Sequence, residues 1–185
     1  MPHENLLELG ACALVVVDVQ DRFSDAIPNF STLEERCARA VRGFQILGAP
    51  VLVTEQYPKG LGHTSKVIID ALSEGSEPIE KTMFSSCGSE TFVARLRESN
   101  IRQVAVCGIE AHICVNQTVH DLIGRGYQVH LLCDAVSSRH DYNRLAGIAK
   151  MARAGAIESS VEMALFEMMR DSRNEKFKEI QALVK

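Results

Sequence analysis

The sequence lacks the features that would define a membrane, secreted or nucleic-acid-binding protein. Its longest apolar stretch, residues 11–17, is far shorter than the roughly 20 residues that a membrane-spanning helix needs. Lys and Arg are scattered and the net charge is -4, so no basic face awaits a phosphate backbone. The amino terminus has no basic stretch leading into an apolar run. We therefore expect a cytoplasmic protein that binds neither membranes nor nucleic acid.

Cofactor and disulfide motifs are missing as well. The six cysteines form no CxxC motif and no Cys/His zinc spacing, so reduced thiols that pack as small hydrophobic side chains are expected. The first strand is followed by DVQDRF and not by GxGxxG, which argues against a nucleotide-binding Rossmann enzyme. The sequence therefore predicts no cofactor.

The pattern of apolar residues predicts the fold class. A chain of 185 residues, 46% of them hydrophobic, suits one compact domain over residues 1–185. Short runs rich in Val, Ile and Leu alternate with segments of helical period. This alternation predicts an α/β fold of three layers, α/β/α, with a mostly parallel sheet of about six strands in a Rossmann-like topology. The strands are expected at residues 11–17, 50–54, 78–81, 103–107, 128–133 and 156–159.

Three residues at predicted strand ends could carry chemistry, because ligands of such sheets bind beyond the carboxyl ends of the strands. Asp18 closes the first strand, where a buried carboxylate is costly unless paired, although it could simply cap a turn. Lys81 ends the third strand and could hold a carboxylate ionised, although most lysines are only solvated. Cys114 is expected in the first turn of a helix spanning 111–125, whose dipole would lower the pKa of the thiol. A buried structural thiol is the alternative.

The stretches VVVDVQDRF, EKTMFSS and CGIEAHICVNQTVHDLIGRGYQVHLLCDAVSSR resemble segments of the isochorismatase-like cysteine hydrolases. The resemblance covers most of the chain, and TEQYPKGLG and GIEAHICV look closest to the isochorismatase-domain-containing subgroup. It implies Cys114 as nucleophile, Asp18 as general base and Lys81 as electrostatic partner. It also implies a cis peptide between Ile109 and Glu110, and an oxyanion hole formed by the backbone N–H groups of Glu110 and Cys114. The implied activity is cleavage of a small amide, ureido or related C–N bond through a thioester on Cys114.

Departures from the family pattern bear on the substrate. Nicotinamidases bind a metal through an Asp and two His after the second strand, but residues 54–58 here read TEQYP. The nearby His63 is expected to be a solvent-facing loop residue, so no metal is predicted. Isochorismatases proper need no thiol, and this chain retains one. The non-enzymatic alternative is a catalytically silent metabolite-binding or scaffold protein, against which the charged residues at buried strand ends argue.

The small-molecule substrate is expected to contact residues beside the three strand ends. These are Phe23, Gln56, Tyr57, Phe84, Glu110 and Ile113. For the aromatic residues, core packing is an equal alternative. Glu110 would either oppose thiolate formation through like charge or select a cationic or amide-bearing substrate.

Self-association is a further expectation from the resemblance, because relatives form dimers and larger assemblies. A homo-oligomer is therefore predicted. The apolar tail around Phe177, Ile180, Leu183 and Val184 could pack within the chain or across an interface.

Overall fold

The computed structural model describes residue 3 and residues 5–98 and 100–185. These residues contain a six-stranded sheet in which all neighbouring strands are parallel. The strands are β1 Cys12–Val17, β2 Val51–Gln56, β3 Ile79–Lys81, β4 Gln103–Gly108, β5 Gln128–Val136 and β6 Ile157–Ser159. Their order across the sheet is β3-β2-β1-β4-β5-β6. The predicted α/β fold with a parallel sheet of about six strands is confirmed.

Helices follow the strands along the chain and cover both faces of the sheet. They are α1 Phe30–Ile46, α2 Pro58–Leu61, α3 Lys66–Ile69, α4 Glu90–Glu98, α5 Cys114–Gly124, α6 Asp141–Arg153, α7 Val161–Met169 and α8 Phe177–Val184. Short 3-10 helices occur at Asp21–Phe23 and Ser86–Gly88. Within the described part of the chain, no helix is long and apolar enough to cross a bilayer.

The central strand β1 explains why the sheet has two hydrophobic cores. Successive residues of a strand point to opposite faces, and every residue of β1 is buried. Leu14 and Val16 belong to the cluster formed with α1, α7 and α8. Val15 and Val17 belong to the cluster on the other face, formed with α4 and α5. The run of aliphatic residues in β1 is therefore what a strand between two helical layers requires.

The apolar tail packs within the chain. Ile180 of α8 is fully buried, and Phe177, Leu183 and Val184 lie against the same core cluster as α1. Of the two arrangements open from the sequence, the structure has the intramolecular one.

Three local features differ from the sequence predictions. Helix α5 begins at Cys114, and residues 111–113 form a turn before it. Residues 57–63, a Gly- and Pro-rich stretch in which the sequence indicates a loop around His63, contain α2, which starts with a proline at its first turn. Strand β5 continues to Val136, because a shift in register beside β4 lets Val136 pair with Gly108.

The strand order places the candidate residues at one edge of the sheet. The chain runs outward from β1 to β3, then crosses back so that β4 pairs with the other side of β1. The carboxyl ends of β1 and β4 therefore flank the position where strand order reverses, which is where ligands bind in such sheets. Asp18 follows β1, and Cys114 follows β4 after a short turn.

Candidate active site

Asp18 lies directly after β1 with its backbone in the left-handed region, at φ 52°. Asp tolerates this region better than most residues do, and the backbone N–H is held by the carbonyl of Thr54 at 3.1 Å. The carboxylate is buried and accepts a hydrogen bond on each oxygen. Thr54 Oγ1 donates to Oδ1 at 2.7 Å, and Lys81 Nζ donates to Oδ2 at 2.6 Å. Both oxygens are therefore fixed by donors on neighbouring strands.

Lys81 ends β3, and its ammonium group is enclosed by acceptors. Besides Asp18, it donates to Gln56 Oε1 at 2.7 Å and to the carbonyls of Phe84 at 3.0 Å and Met83 at 3.2 Å. The side chain is 1% exposed. The solvated lysine considered from the sequence is thus not what the structure has. Because burial of a charge is costly, the pairing with Asp18 is what allows this ammonium group to lie inside the protein.

Cys114 is the first residue of α5 and is 8% exposed. Burial and, after it, the negative charge of Asp18 raise the pKa of its thiol to about 12, and the charge of Lys81 only partly offsets them. Glu110 adds a smaller effect in the same direction as Asp18. The low thiol pKa predicted from the sequence is therefore wrong, because burial and Asp18 raise it. The thiol is protonated at neutral pH, so any nucleophilic role requires a base.

The turn before α5 and the first residue of that helix carry backbone N–H groups for which the described residues provide no acceptor. The peptide bond between Ile109 and Glu110 is cis. The carbonyl of Glu110 accepts from the N–H groups of Ile113 at 2.9 Å and Val115 at 3.2 Å. Among the described residues, nothing accepts a hydrogen bond from the N–H of Glu110 or of Cys114. Both groups are available to a ligand at the start of α5.

The Glu110 side chain is not the free acid that the sequence suggested. It is 5% exposed, and its Oε1 accepts from both the backbone N–H and the Nε of Arg139, each at 3.0 Å. Its charge is therefore paired with an arginine that the sequence analysis missed. A free negative charge that selects a cationic substrate does not fit this arrangement.

A chain of buried hydroxyl groups connects Asp18 to the helix that carries Cys114. Thr54 donates to Asp18, so the contact of 3.5 Å between Thr54 Oγ1 and Ser86 Oγ uses the proton of Ser86. Thr118, one turn along α5 from Cys114, donates to Ser86 Oγ at 3.3 Å and accepts from the Ser86 N–H at 2.9 Å. Each hydroxyl thus donates toward Asp18, and bonds in such a series strengthen one another.

The residues expected to contact a substrate occupy different environments. Tyr57 and Phe84 are 53% and 52% exposed, and Tyr57 lines an open cavity of about 450 Å³ that also includes Lys81 and Met83. Phe23 and Ile113 are partly buried, each packing against one of the two core clusters. Of the aromatic residues, Tyr57 and Phe84 are accessible at this edge, whereas Phe23 serves packing.

Gln56 accepts a hydrogen bond from Lys81, and Gln20 holds the backbone of Gln56 in place. The amide of Gln56 accepts from Lys81 and donates to the Thr82 carbonyl at 2.8 Å, so it is committed to protein contacts. Gln20 holds the backbone at this point: its Oε1 accepts from the Gln56 N–H at 2.8 Å, and its Nε2 donates to the Gln56 carbonyl at 3.0 Å and the Gly62 carbonyl at 2.6 Å.

His63 lies outside this cluster of contacts. Its side chain is 79% exposed, and its Nδ1 is 3.2 Å from Glu55 Oε2. The other oxygen of Glu55 accepts from the backbone N–H and the hydroxyl of Thr64. Within the described ranges, no three His, Cys, Asp or Glu side chains come together as a metal ion would require.

Comparison with known proteins gives consistent matches. The sequence pattern of the family described as "Isochorismatase domain" matches residues 12–163. Isochorismatase domain-containing protein 1 of Danio rerio is 40% identical over 168 residues, which are 91% of this chain and 59% of that protein. The chain thus spans about three fifths of the length of this relative. Isochorismatase domain-containing protein 2 of Macaca fascicularis is 38% identical over 181 residues, covering 95% of this chain and 84% of that protein.

A solved structure is similar over nearly the whole chain. It is described as the structure of MAR1 ribonuclease from Caenorhabditis elegans, and it superposes with a TM-score of 0.92 at 38% sequence identity. The match covers 97% of this chain and 92% of that chain. The sheet and its helical layers are therefore shared with a protein of related sequence.

Proposed function

This chain belongs to the isochorismatase domain family, and we propose that it is a cysteine hydrolase cleaving a small amide, ureido or related C–N bond through a thioester on Cys114. One observation carries the proposal. The buried thiol of Cys114 is affected by the charge and hydrogen bonding of the Asp18 carboxylate, which is itself paired with the buried Lys81. A protonated thiol needs a base, and Asp18 is the anionic group whose charge and hydrogen bonding affect Cys114 most.

The first half of the reaction forms the thioester. Asp18 takes the proton of Cys114 as the sulfur attacks the carbonyl carbon, and the oxygen of the tetrahedral intermediate becomes negative. The N–H groups of Glu110 and Cys114, for which the described residues provide no acceptor, are the donors proposed to bind this oxygen. The C–N bond then breaks, and Asp18 returns its proton to the leaving amine.

The second half restores the enzyme. Asp18 accepts a proton from water as the water oxygen attacks the thioester, and the sulfur leaves with that proton. A carboxylic acid is released and the thiol is regenerated. Lys81 Nζ donates a hydrogen bond to Asp18 Oδ2, which holds the carboxylate in position between proton transfers.

Access to this site is proposed along the half-exposed rings of Tyr57 and Phe84. The inner wall of the pocket would be formed by Phe23, Ile113 and Gln56. The first two pack against the core clusters, and Gln56 is hydrogen-bonded within the protein. No metal or cofactor enters the proposed cycle, since every proton and electron pair is carried by the thiol, the carboxylate and water.

Amine release from a panel of small primary amides, ureido acids and nicotinamide tests the proposal. We expect turnover of at least one amide or ureido compound by the wild type and by Cys133→Ser, the matched control. Cys133 is a half-buried cysteine on β5 outside the cluster. Cys114→Ser is expected to lose several orders of magnitude in kcat, as is usual when a nucleophile is removed. Equal turnover by Cys114→Ser would exclude the mechanism.

Short single-stranded RNA belongs in the same panel, because the similar C. elegans structure is described as a ribonuclease. The proposal predicts that RNA stays intact, since the scattered basic residues and net charge of -4 offer little attraction for a phosphate backbone. RNA cleavage that Cys114→Ser abolishes would replace the C–N substrate class with phosphodiesters.

Self-association is part of the proposal. Helix α6 exposes the large apolar side chains of Tyr142 and Leu145, which are 68% and 52% accessible on the single chain. Exposed apolar groups of this size suit a contact between copies. Light scattering of the wild type should give a mass above 20.4 kDa, and a monomeric mass would remove this element of the proposal.

A further inference from the structure

The turn formed by residues 108–113, which we term the nucleophile turn, is bonded to the segment that follows β5. Ala111 N–H donates to the Ser137 carbonyl at 2.8 Å. Two residues further along, Arg139 binds the Glu110 carboxylate through both its backbone N–H and its Nε. Ile109 N–H also donates to the Val17 carbonyl at 2.9 Å, so the turn before α5 is held from the β5 side and from β1.

The Glu110–Arg139 pair is asymmetric in its exposure. The Glu110 side chain is 5% exposed, whereas that of Arg139 is 51% exposed. A carboxylate in that position has little water to solvate it, so it depends on its partner for compensation. Arg139 provides the one ion pair of Glu110 within the described ranges.

Glu110 acts on the nucleophile through its charge. The charged groups that affect the Cys114 thiol are Asp18, Lys81 and Glu110, and the two acids both favour the protonated form. Asp18 is offset by Lys81 at 2.6 Å. Glu110 is offset by Arg139 at 3.0 Å. Each of the two acids that affect the thiol is therefore paired with a cation, Asp18 with Lys81 and Glu110 with Arg139.

We propose that Arg139 is a positioning residue of this site: its guanidinium neutralises the buried Glu110 carboxylate, so that negative charge can develop on Cys114 beside the nucleophile turn. The inference rests on the proposed cysteine mechanism. Arg139 acts through Glu110 and not on the substrate. If the arginine is removed, an uncompensated carboxylate remains near the sulfur and opposes its ionisation.

A double-mutant cycle with a substrate-free readout tests this role. The probe is iodoacetamide, which transfers its acetamide group to the Cys114 thiolate with loss of iodide. The second-order rate constant is measured on the full chain at pH 8.5 from the mass of the Cys114 peptide, with Cys133 as internal reference. We expect Arg139→Gln to alkylate about three- to tenfold more slowly, which corresponds to up to one pKa unit. Arg139→Lys keeps the positive charge and should stay within about threefold of the wild type.

The second arm of the cycle separates charge from structure. Glu110→Gln should alkylate at least as fast as the wild type, and the Glu110→Gln/Arg139→Gln double variant should match Glu110→Gln. If the double variant is as slow as Arg139→Gln, or if Arg139→Gln equals the wild type, the inference is wrong.

A failure of the proposed hydrolase function can be distinguished from a failure of the role proposed for Arg139. It would be seen as amine release that persists in Cys114→Ser, a result that the alkylation cycle does not depend on. Thermal unfolding of each variant shows whether the rates come from folded protein. If Arg139→Gln does not fold, Arg139→Met removes the same charge, and the same slower alkylation is expected of it.

Discussion

Lys81 Nζ lies 2.6 Å from Asp18 Oδ2, and the two side chains are 1% and 2% exposed. Removing one partner of a buried pair leaves an uncompensated charge, which is more disruptive than losing the pair. Here the remaining charge would lie beside Cys114, and its sign would decide whether the thiol ionises more or less easily. Substitution of Asp18 and substitution of Lys81 are therefore expected to change the pKa of Cys114 in opposite directions.

Asp18→Asn is expected to separate thiol ionisation from catalysis. The substitution removes the negative charge that raises the pKa of Cys114 and leaves Lys81, which lowers it. Alkylation of Cys114 by iodoacetamide at pH 7.5 should therefore become faster, by about tenfold for one pKa unit. Amine release should fall by about a hundredfold or more, because the general base is lost.

Lys81→Met is expected to change the alkylation rate of Cys114 in the opposite direction from Asp18→Asn, while amine release falls in both variants. With Asp18 left unpaired, the pKa of Cys114 should rise further, so alkylation becomes slower while amine release is also lost. Peptide mass spectrometry measures both variants against Cys133. Alkylation that changes in the same direction in both variants would contradict the assigned electrostatics.

Thr54→Val tests the hydroxyl chain that ends at Asp18. Valine keeps the shape of threonine but cannot donate to Oδ1, so the carboxylate loses one of its two fixed donors. A hydrogen bond to a charged group contributes about 1.5–3 kcal/mol, so kcat should fall at least about tenfold with little change in KM. Thr54→Ser, which keeps the hydroxyl, should recover most of kcat. If Thr54→Ser is as slow as Thr54→Val, packing and not hydrogen bonding explains the effect.

Gly108 joins β4 to the nucleophile turn in a conformation that few residues adopt. Its φ is +113°, and an added Cβ would lie 2.1 Å from the carbonyl oxygen of Val17. Gly108→Ala should lower the free energy of unfolding by at least about 2 kcal/mol in urea titrations. Gly124→Ala is the matched control in α5, with nothing within 4 Å, and should be neutral or stabilise by up to about 1 kcal/mol. Equal effects of the two substitutions would argue against the close approach of β1 and β4.

His130 should make the protein less stable in mild acid. It is buried on β5, its Nδ1 has no partner among the described residues, and burial lowers its pKa from 6.5 to about 4. Between these values the unfolded chain binds a proton that the folded chain does not, so stability is present above pH 6.5 and is lost as the pH falls. The loss should be about 1.4 kcal/mol per pH unit in that range. His130→Leu should lose less stability than the wild type between pH 7 and pH 5, and parallel losses would assign the effect to other groups.

The sheet was predictable because its signal is local. The aliphatic run in β1 and the regular alternation with helical segments require no knowledge of distant contacts. Asp18 and Lys81 were also accessible to this reasoning, because a charged residue at the end of a buried strand needs a partner. That they pair with each other was not predictable, because β2 lies between β1 and β3 and the Lys81 side chain reaches across it to Asp18.

The protonation state of Cys114 was not predictable from the sequence. Its place at the start of α5 is local, but the burial and the two acids that raise its pKa come from β1 and from its own turn. Arg139 and Thr54 were missed for a similar reason. Nothing in RHDY or LVTEQ indicates a partner, since each contact joins segments that only the folded sheet brings together.

The most direct test of the account is the mass of the Cys114 peptide during turnover. The wild type is incubated with a pool of small amides, quenched in acid at early times and digested. The thioester mechanism predicts an acyl group on Cys114 that appears with amine release, decays as the acid product accumulates and is absent from Cys133. Amine release with Cys114 unmodified at every time, or the same adduct on Cys133, would contradict it.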